Sequence, residues 1–395
     1  MKITDIRAYT LVGDADAIGV LTEERQVGQL DAHAEFRSRG PSQPGHVGPD
    51  GKRVLEHSYV EIDTDEGVGG IFGPINEEQA IVIIHRLRSF LIGRDPLAHE
   101  QLWDMMYRHD RHARKGLMMM AVSAVDNALW DLRGKLRSEP VYRLLGGPTR
   151  DRVQAYASML GHSLEVGPVY QRAQETAEAG YWAQKWFFRY GPGDGIPGML
   201  KNMDLVRTVR EAINVGNDIM FDCWMGWDYS YAARMLEQIG QYNVRWVEEP
   251  LSPDRIAEYA ALRSGTNVPL ATGEHEYTRW GFHQLLQADA VDVIQADPDW
   301  AGGLTEMVKI CTLASTYGKP VIPHGHSVLP ALHLIASQPE LVCPMAEFLI
   351  KGQRSAQYFH KDFVEPVEGY FALPTKPGLG IELDESKILR RVEVQ

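Results

Sequence analysis

The sequence of 395 residues predicts an α/β fold: a (β/α)8 barrel with an α+β capping domain before it and a C-terminal segment that packs back on the cap. Two observations support this prediction. From about residue 150, short β-rich runs alternate with helical stretches, whereas the chain before them mixes a hairpin pattern with helices. We therefore divide the chain into a cap, a barrel and a closing segment, at residues 1–125, 126–350 and 351–395.

The N-terminal region has the patterns of a mixed α and β domain. Apolar and polar side chains alternate over residues 57–73 and are interrupted at 65-DEG-67, which predicts a hairpin. Helical patterns follow near 76–92, 97–110 and 117–136. Before the hairpin, 37-RSRGPSQPGHVGPDGK-52 is rich in glycine and proline, so it is either a binding loop over a site or a surface excursion.

Eight β-rich runs lie in the middle of the chain and predict the barrel strands. They are residues 153–158, 182–188, 218–224, 245–250, 269–274, 291–297, 320–325 and 345–349. Helical runs lie between them, among them 204–213, 231–240 and 305–318. Eight repeats of strand and helix are typical of a (β/α)8 barrel. A doubly wound open sheet is the alternative, but such a sheet usually has fewer strands.

Composition and charge argue against several classes of function. The net charge of −13 argues against nucleic acid as a partner, because its binding depends on basic side chains against phosphates. The longest apolar run, near 117–122, is too short to cross a bilayer, and the N-terminus lacks the apolar core of a signal peptide. We expect a cytoplasmic protein without a membrane partner. Three separated cysteines, Cys223, Cys311 and Cys343, are expected to be buried and reduced.

Polar side chains occur at the ends of six predicted barrel strands. A strand buried on both faces should be apolar throughout, and barrel enzymes place their chemistry at the C-terminal strand ends. Each residue alone has an ordinary explanation as a helix cap or a turn residue. Six in consecutive strands indicate an active site. From the third predicted strand to the eighth they are Asp222, Glu248 with Glu249, Glu274, Asp297, His324 and Glu347.

Three of these carboxylates predict a magnesium site. Asp222, Glu248 and Glu274 are separated by 26 residues each, so they belong to three neighbouring strands. A set of hard oxygen ligands suits Mg²⁺, with water and substrate oxygens completing the octahedron. The acidic side chains at this end of the barrel would repel one another unless a cation balanced them.

The next two strands predict a general base. Asp297 and His324 lie on neighbouring strands, and a carboxylate beside an imidazole fixes its tautomer and raises its basicity. In 321-VIPHGHSV-328, His324 ends the apolar run and is the candidate base. His326 follows two residues later without an equivalent partner in the sequence, so we expect it to be structural or at the rim of the site.

Several of these stretches resemble the enolase superfamily, in its mandelate-racemase-like branch, and within it the rhamnonate dehydratases and related acid-sugar dehydratases. The resemblance covers essentially the whole chain. It is carried by 221-FDCW-224, 246-WVEEP-250, 272-TGEHEYTRWGF-282, 295-QADPDWAGG-303, 322-IPHG-325 and 346-AEF-348.

The resemblance implies roles for individual residues. It makes Asp222, Glu248 and Glu274 ligands of Mg²⁺, and it makes His324 with Asp297 the acid/base dyad. Other residues would contact substrate or the developing negative charge. Glu347 and Lys185 would be catalytic, and the predicted substrate-binding residues are His33, Arg189 and His275.

One departure from the racemase pattern concerns the second strand. The racemases of this branch carry Lys-x-Lys there, whereas this chain has 185-KWF-187, so Phe187 replaces the second lysine. A racemase needs a base on each face of the substrate, and Phe187 leaves one. Lys185 would be a catalytic group or an anion anchor, and Arg189 stays protonated and can help to hold an anion.

Taken with the single base, the resemblance implies dehydration of a 2R sugar acid such as rhamnonate or lyxonate. Mg²⁺ and Lys185 would stabilise an enediolate. His324 would remove the C2 proton and return it to the departing 3-hydroxyl, which gives a 2-keto-3-deoxy acid. The alternatives are a racemase or epimerase on the same site and a metal-binding homologue without catalysis. The resemblance and candidate exposed aromatic residues also predict a homo-oligomer.

Overall fold

The computed structural model describes residues 1–48 and 51–395. Within these ranges the chain forms a cap of mixed α and β structure on a parallel β/α barrel, as the sequence predicts. The strands are β1 (Ile3–Asp14), β2 (His46–Val47), β3 (Arg53–Thr64), β4 (Gly70–Ile75), β5 (Arg152–Ser158), β6 (Ala183–Phe187), β7 (Asp218–Asp222), β8 (Val244–Glu248), β9 (Leu270–Thr272), β10 (Val293–Ile294), β11 (Ala346–Leu349), β12 (Tyr370–Ala372) and β13 (Arg390–Glu393).

Helices flank the strands in both regions. The α-helices are α1 (Ala34–Arg37), α2 (Glu77–Val82), α3 (Ser89–Leu91), α4 (His99–His109), α5 (Leu117–Arg137), α6 (Val141–Leu144), α7 (Val166–Glu178), α8 (Gly195–Ala212), α9 (Tyr229–Ile239), α10 (Ile256–Ser264), α11 (Thr278–Gln287), α12 (Gly303–Thr316), α13 (Val328–Ser337) and α14 (Gly352–Ala356). A π-helical segment, Ile83–Arg88, joins α2 to α3. Short 3₁₀ turns span Ala15–Ile18, Gln29–Ala32, Pro192–Asp194, Gly240–Tyr242 and Glu385–Lys387.

The cap is an antiparallel sheet to which both ends of the chain contribute. Its order is β13-β1-β3-β2, and β4 pairs with β3. The predicted hairpin is confirmed as β3 and β4, and the pairing of β13 with β1 confirms the return of the C-terminal segment to the cap. The predicted glycine- and proline-rich loop over 37–52 includes β2, and its residues 49 and 50 lie outside the described residues.

The barrel sheet runs in the order β10-β9-β8-β7-β6-β5-β11 with parallel pairing throughout, and the pairing of β11 with β5 joins its last strand to its first. The predicted strand over 320–325 forms only in part: Val321 makes an isolated parallel bridge to Ile294, and the Ile322 N–H donates to the Ile294 carbonyl at 2.8 Å. Pro320 and Pro323 lack the N–H groups that a ladder needs. The segment still follows β10, since the His324 N–H donates to the Ala296 carbonyl at 3.3 Å.

Helix α5 links the cap, the barrel and the C-terminal segment. Asp126 accepts hydrogen bonds from the N–H and the hydroxyl of Thr305 on α12, at 2.9 and 2.6 Å. Asp131 accepts from the N–H of Ile71 in β4 and from that of Leu379, at 2.9 and 2.8 Å. A Cβ on Gly134 would lie 2.4 Å from Gly378, so the close approach requires glycine. The predicted boundary at 125/126 lies inside this helix and stays a prediction.

A glycine-rich turn anchors the cap loop to the barrel. The turn 193-GDGIPG-198 opens α8 with the glycine spacing of a dinucleotide-binding loop, and it follows a barrel strand. The Arg37 side chain lies where a Cβ on Gly193 would be, and it donates to the Gly193 carbonyl at 2.8 Å. The turn therefore holds α1 and its loop over the barrel.

The three cysteines are buried and free, as the sequence predicts. The Sγ atoms of Cys311 and Cys343 lie 3.6 Å apart although the two residues are far apart in the sequence. Among the described residues, no helix combines the length and the apolar character that a membrane crossing needs.

We predict that His333 makes unfolding depend on pH. Its Nδ1 accepts the Tyr142 N–H at 3.1 Å, its Nε2 lies 3.3 Å from the Leu379 carbonyl, and burial lowers its pKa from 6.5 to about 4. The unfolded chain therefore binds the proton first, so stability is lost as the pH falls from 6.5 towards 4, by up to about 3 kcal/mol. Urea unfolding across this range should show a shallower dependence in His333→Asn. The same substitution at exposed His283 should leave the dependence unchanged, and an unchanged slope in His333→Asn would contradict the prediction.

Candidate active site

A cavity of about 530 Å³ lies between the cap and the C-terminal ends of the barrel strands. From the cap it is lined by Leu21, Thr22, Glu24, Arg25, Gln26, Ser42 and Pro44. From the barrel it is lined by Ser158, Lys185, Phe187, Asp222, Trp224, Glu274, His324, His326, Glu347 and Lys351, among others. Most of the predicted catalytic and metal-binding side chains therefore reach one enclosed space.

Lys185 is the positive centre of the site. It lies in β6, is 3% exposed, and its Nζ is 2.5 Å from Glu248 Oε1 and 2.8 Å from Glu347 Oε1. Asp222 Oδ2 is 4.0 Å from the same nitrogen. Burial raises the pKa of Glu347, but Lys185 and His324 outweigh this effect and bring it to about 2. A buried carboxylate thus stays ionised beside the lysine.

The three predicted metal ligands lie at the ends of three adjacent strands. Their burial and their closeness to one another disfavour the ionised carboxylates. Burial raises the pKa of Glu248 to about 7 and that of Glu274 to about 8, and the charge of Asp222 raises both. Glu248 also accepts from Gln295 Nε2 at 2.5 Å. Buried oxygen ligands that repel one another suit a divalent cation, which would stabilise their ionised forms. The donor set therefore fits Mg²⁺.

Glu274 does not point at Lys185 as the other two carboxylates do. Its Oε2 lies 3.4 Å from His324 Nε2, and its Oε1 lies 3.7 Å from His275 Nδ1. Ligand atoms of Glu249, Glu274 and His275 lie within 4.8 Å of one another. Glu274 thus lies between the imidazole of the following residue, His275, and that of His324.

The predicted dyad forms in the structure. His324 Nδ1 lies 2.6 Å from Asp297 Oδ2, and the other oxygen of Asp297 accepts the Asp299 N–H at 2.6 Å. Burial lowers the pKa of His324, but Glu274 and Asp297 together hold it well above 6.5. The Gly325 N–H donates to Glu347 Oε2 at 2.9 Å, which fixes the turn after His324. The imidazole is therefore oriented with Nε2 on the side away from Asp297.

The expectation that His326 lacks a partner is wrong. His326 Nδ1 lies 2.8 Å from Asp299 Oδ2, and Asp299 is 1% exposed. The separation along the chain is 27 residues, as it is between Asp297 and His324. This repeated offset was the sequence signal for a second pair. Strand spacing alone did not indicate it, because Asp299 lies beyond the strand in the following turn.

The three predicted substrate-binding residues do not line the cavity. His33 is exposed at the start of α1, with its ring 6.3 Å from that of Phe36. Arg189 contacts Glu24 Oε1 at 3.3 Å and donates to the Arg37 carbonyl at 2.6 Å, so it holds the cap loop. His275 Nδ1 lies 2.9 Å from Glu249 Oε2. Their predicted contacts with substrate stay predictions.

Cap residues that the sequence did not single out reach the cavity. Arg25 binds Asp31 through two hydrogen bonds of 2.7 and 2.8 Å and donates to the carbonyls of Phe36 and Arg37. It therefore organises the loop above the barrel. Lys351 donates to Glu23 at 2.6 Å across 328 residues of sequence. A lysine two residues after the eighth strand was the available signal for this contact.

The chain leaves two metal-site strands through strained backbone. Trp224 and Glu249 follow β7 and β8 with φ values of 41° and 42°, a region that residues other than glycine seldom occupy. Such conformations concentrate at functional sites. Here the turn brings the Trp224 N–H to Asp222 Oδ1 at 2.8 Å and thus orients a candidate ligand.

Comparisons with known proteins agree with this geometry. Residues 169–387 match the family described as enolase C-terminal domain-like, and residues 39–146 match the N-terminal domain of the mandelate racemase/muconate lactonizing enzyme family. The chain belongs to this family. The predicted membership of the enolase superfamily, and with it an enzyme fold of this class, is confirmed.

Among its relatives is an L-rhamnonate dehydratase of Saccharopolyspora erythraea, 35% identical over 402 residues, which cover 99% of each chain. The crystal structure of L-rhamnonate dehydratase from Gibberella zeae has a TM-score of 0.83 at 30% identity over 99% of this chain and 96% of that one. A second structure of the Gibberella zeae enzyme is a complex with Mg, with a TM-score of 0.78 at 32% identity over 98% of this chain and 95% of that one. The 3,6-anhydro-D-galactonate cycloisomerase of Zobellia galactanivorans is similar too, with a TM-score of 0.78 at 29% identity over 98% of each chain.

Proposed function

We propose that the protein is a Mg²⁺-dependent lyase that dehydrates a sugar acid to a 2-keto-3-deoxy acid. The substrate class is an aldonate of 2R configuration, such as rhamnonate or lyxonate. The observation that carries the proposal is an imidazole oriented by a carboxylate, His324 on Asp297, beside three carboxylates that fit Mg²⁺. The rhamnonate dehydratases among the relatives, one of them solved as a Mg complex, support it.

Lys185 and Glu347 would shape the charge around the reacting carbons. When bound by Asp222, Glu248 and Glu274, Mg²⁺ supplies a Lewis acid for the substrate carboxylate. Lys185 lines the same cavity and stays protonated, because neighbouring carboxylates hold its pKa well above 10.5 although burial lowers it. Its Nζ would stabilise negative charge as the C2 proton leaves, which is the electrostatic effect that carbon-acid chemistry needs most.

His324 would remove the C2 proton. Its Nδ1 is held by Asp297, and its Nε2 faces Glu274 Oε2 at 3.4 Å. The charge of Glu274 raises the pKa of His324, and a cation held by Glu274 would offset that charge, so that Nε2 could accept the C2 proton. Cap residues 21, 22 and 24–26 line the cavity and would exclude bulk water from the reacting carbons. The hydroxyls further along the substrate would lie under this part of the cap.

A racemase is the second candidate, and Phe187 disfavours it. Phe187 lines the cavity two residues after Lys185, at the position where the resembled racemases have their second lysine. An aromatic ring cannot accept a proton from the opposite face of C2. The predicted homo-oligomer and cytoplasmic location, like the division into domains, stay predictions.

A screen of aldonates tests the proposed function. Purified protein with Mg²⁺ is incubated with paired 2R and 2S acids, and formation of 2-keto-3-deoxy acid is measured. We expect turnover of at least one 2R acid and its loss on chelation, with recovery when Mg²⁺ is returned. Faster turnover of a 2S acid than of every 2R acid would contradict the stereochemistry. Deuterium exchange at C2 without loss of water would favour the racemase.

A further inference from the structure

Two histidine–carboxylate pairs lie side by side at the mouth of the barrel. His324 is held by Asp297 at 2.6 Å, and His326 is held by Asp299 at 2.8 Å. In both pairs the contacting ring nitrogen is Nδ1, and the Nε2 of His324 faces Glu274 Oε2 at 3.4 Å. Both histidines line the cavity. The Trp300 ring lies beside both, with centroid distances of 5.2 Å to His324 and 5.0 Å to His326.

The second pair, His326 with Asp299, combines a buried carboxylate with an accessible imidazole, which a histidine at the rim of a site does not need. Asp299 is 1% exposed, and among the described residues its Oδ1 has no hydrogen-bond partner. Burying a carboxylate is costly unless it is paired, and the ion pair with His326 is its compensation. In contrast to Asp299, 39% of the His326 side-chain surface is accessible. A buried carboxylate that orients a reachable imidazole is the arrangement of an acid/base group.

We propose that His326, positioned by Asp299, is the general acid that protonates the departing 3-hydroxyl, while His324 acts as the base at C2. This inference rests on the proposed dehydration. It replaces the expectation that one imidazole performs both proton transfers. His324 and His326 are two residues apart and line the same cavity, so both transfers would take place within it.

The proton and electron balance closes with two imidazoles. The C2–H bond breaks, its proton passes to His324 Nε2, and the electron pair forms the enediolate. The electron pair of the enediolate then forms the C2–C3 double bond as the C3–O bond breaks. The hydroxyl leaves as water with the proton from His326 Nε2. Ketonisation restores the starting protonation states of both imidazoles. His324 delivers its proton to C3, and His326 accepts the proton of the C2 enol.

The charges around His326 agree with its role as a proton donor. Burial lowers its pKa, but the hydrogen bond and charge of Asp299, together with the charge of Asp297, raise it above 6.5. His324 opposes this effect as the neighbouring imidazole. Asp299 and Asp297 thus favour the protonated form of His326.

The experiment compares His326→Asn with the wild type on two leaving groups, using a substrate that the aldonate screen identifies. The first compound is the acid itself, and the second is its 3-deoxy-3-fluoro analogue, because fluoride leaves with far less need of an acid. Keto-acid formation, fluoride release and C2 deuterium exchange are measured together. His283→Asn, at an exposed position of α11, is the matched control.

We expect His326→Asn to lose about 10²-fold or more in dehydration. It should keep C2 exchange and fluoride release within a few-fold of the wild type. Asp299→Asn should likewise lower the rate of dehydration relative to the rates of fluoride release and C2 exchange. Equal losses in all three readouts would overturn the proposal and indicate a structural role. A raised KM with unchanged kcat would overturn it and indicate a contact with a distal hydroxyl. A wild type that neither exchanges C2 nor eliminates either group would overturn the proposed function, and this inference with it.

Discussion

Replacing His324 with asparagine is expected to lower kcat for dehydration by about 10²–10⁴-fold and to remove C2 deuterium exchange. Asparagine can keep a hydrogen bond to Asp297, so the buried carboxylate stays partnered while the base is lost. The measurement is keto-acid formation and C2 exchange on the substrate from the screen. Because the base acts before the leaving group departs, elimination of fluoride from the 3-fluoro analogue should fall with dehydration.

The pattern in His324→Asn therefore differs from that expected for His326→Asn, which keeps exchange and fluoride release. His283→Asn again serves as the exposed control. Circular dichroism and the unfolding midpoint establish whether the variant is folded. If His324→Asn exchanged C2 at the wild-type rate, another group would be the base and the assignment of the dyad would be wrong.

The barrel and most of its candidate site could be predicted because strand ends repeat along the chain. Asp222, Glu248 and Glu274 close successive parallel strands, and parallel strands end on one side of a barrel. Their convergence follows from topology and requires no knowledge of side-chain contacts. The same reasoning located His324, although its strand is reduced to one bridge by Pro320 and Pro323.

The cap over the site could not be predicted in the same way. Arg25 reaches carbonyl groups of an irregular loop, and Lys351 meets Glu23 from the other end of the chain. Neither contact leaves a periodic pattern in the sequence. Loops lack the regular backbone geometry that would allow sequence spacing to predict where a side chain lies. His33 shows the consequence, since a residue placed by resemblance in this loop is exposed in the structure.

Replacing Lys185 with methionine is expected to destabilise the metal-free protein by about 3–5 kcal/mol at neutral pH. Methionine keeps much of the side-chain volume but removes the charge that faces Glu248, Glu347 and Asp222. Ionised carboxylates would then be buried without a partner. The measurement is urea unfolding in the presence of a chelator. Lys376→Met is the control, because its ion pairs with Asp362 and Glu382 are exposed and contribute little.

The pH dependence separates this loss of charge from a loss of packing. In the wild type the pKa of Glu347 is about 2 rather than 4.5, so its stabilisation is present above pH 4.5 and is lost as the pH falls towards 2. Burial is the largest influence on Glu347, and without Lys185 the charge of His324 and the hydrogen bond of Ser158 are left to oppose it, so we expect the pKa of Glu347 to rise above its ordinary value. The variant then gains stability as the carboxylate takes up a proton. The difference in free energy of unfolding between the wild type and Lys185→Met should shrink as the pH falls from 7 to 5. A packing defect would leave this difference constant.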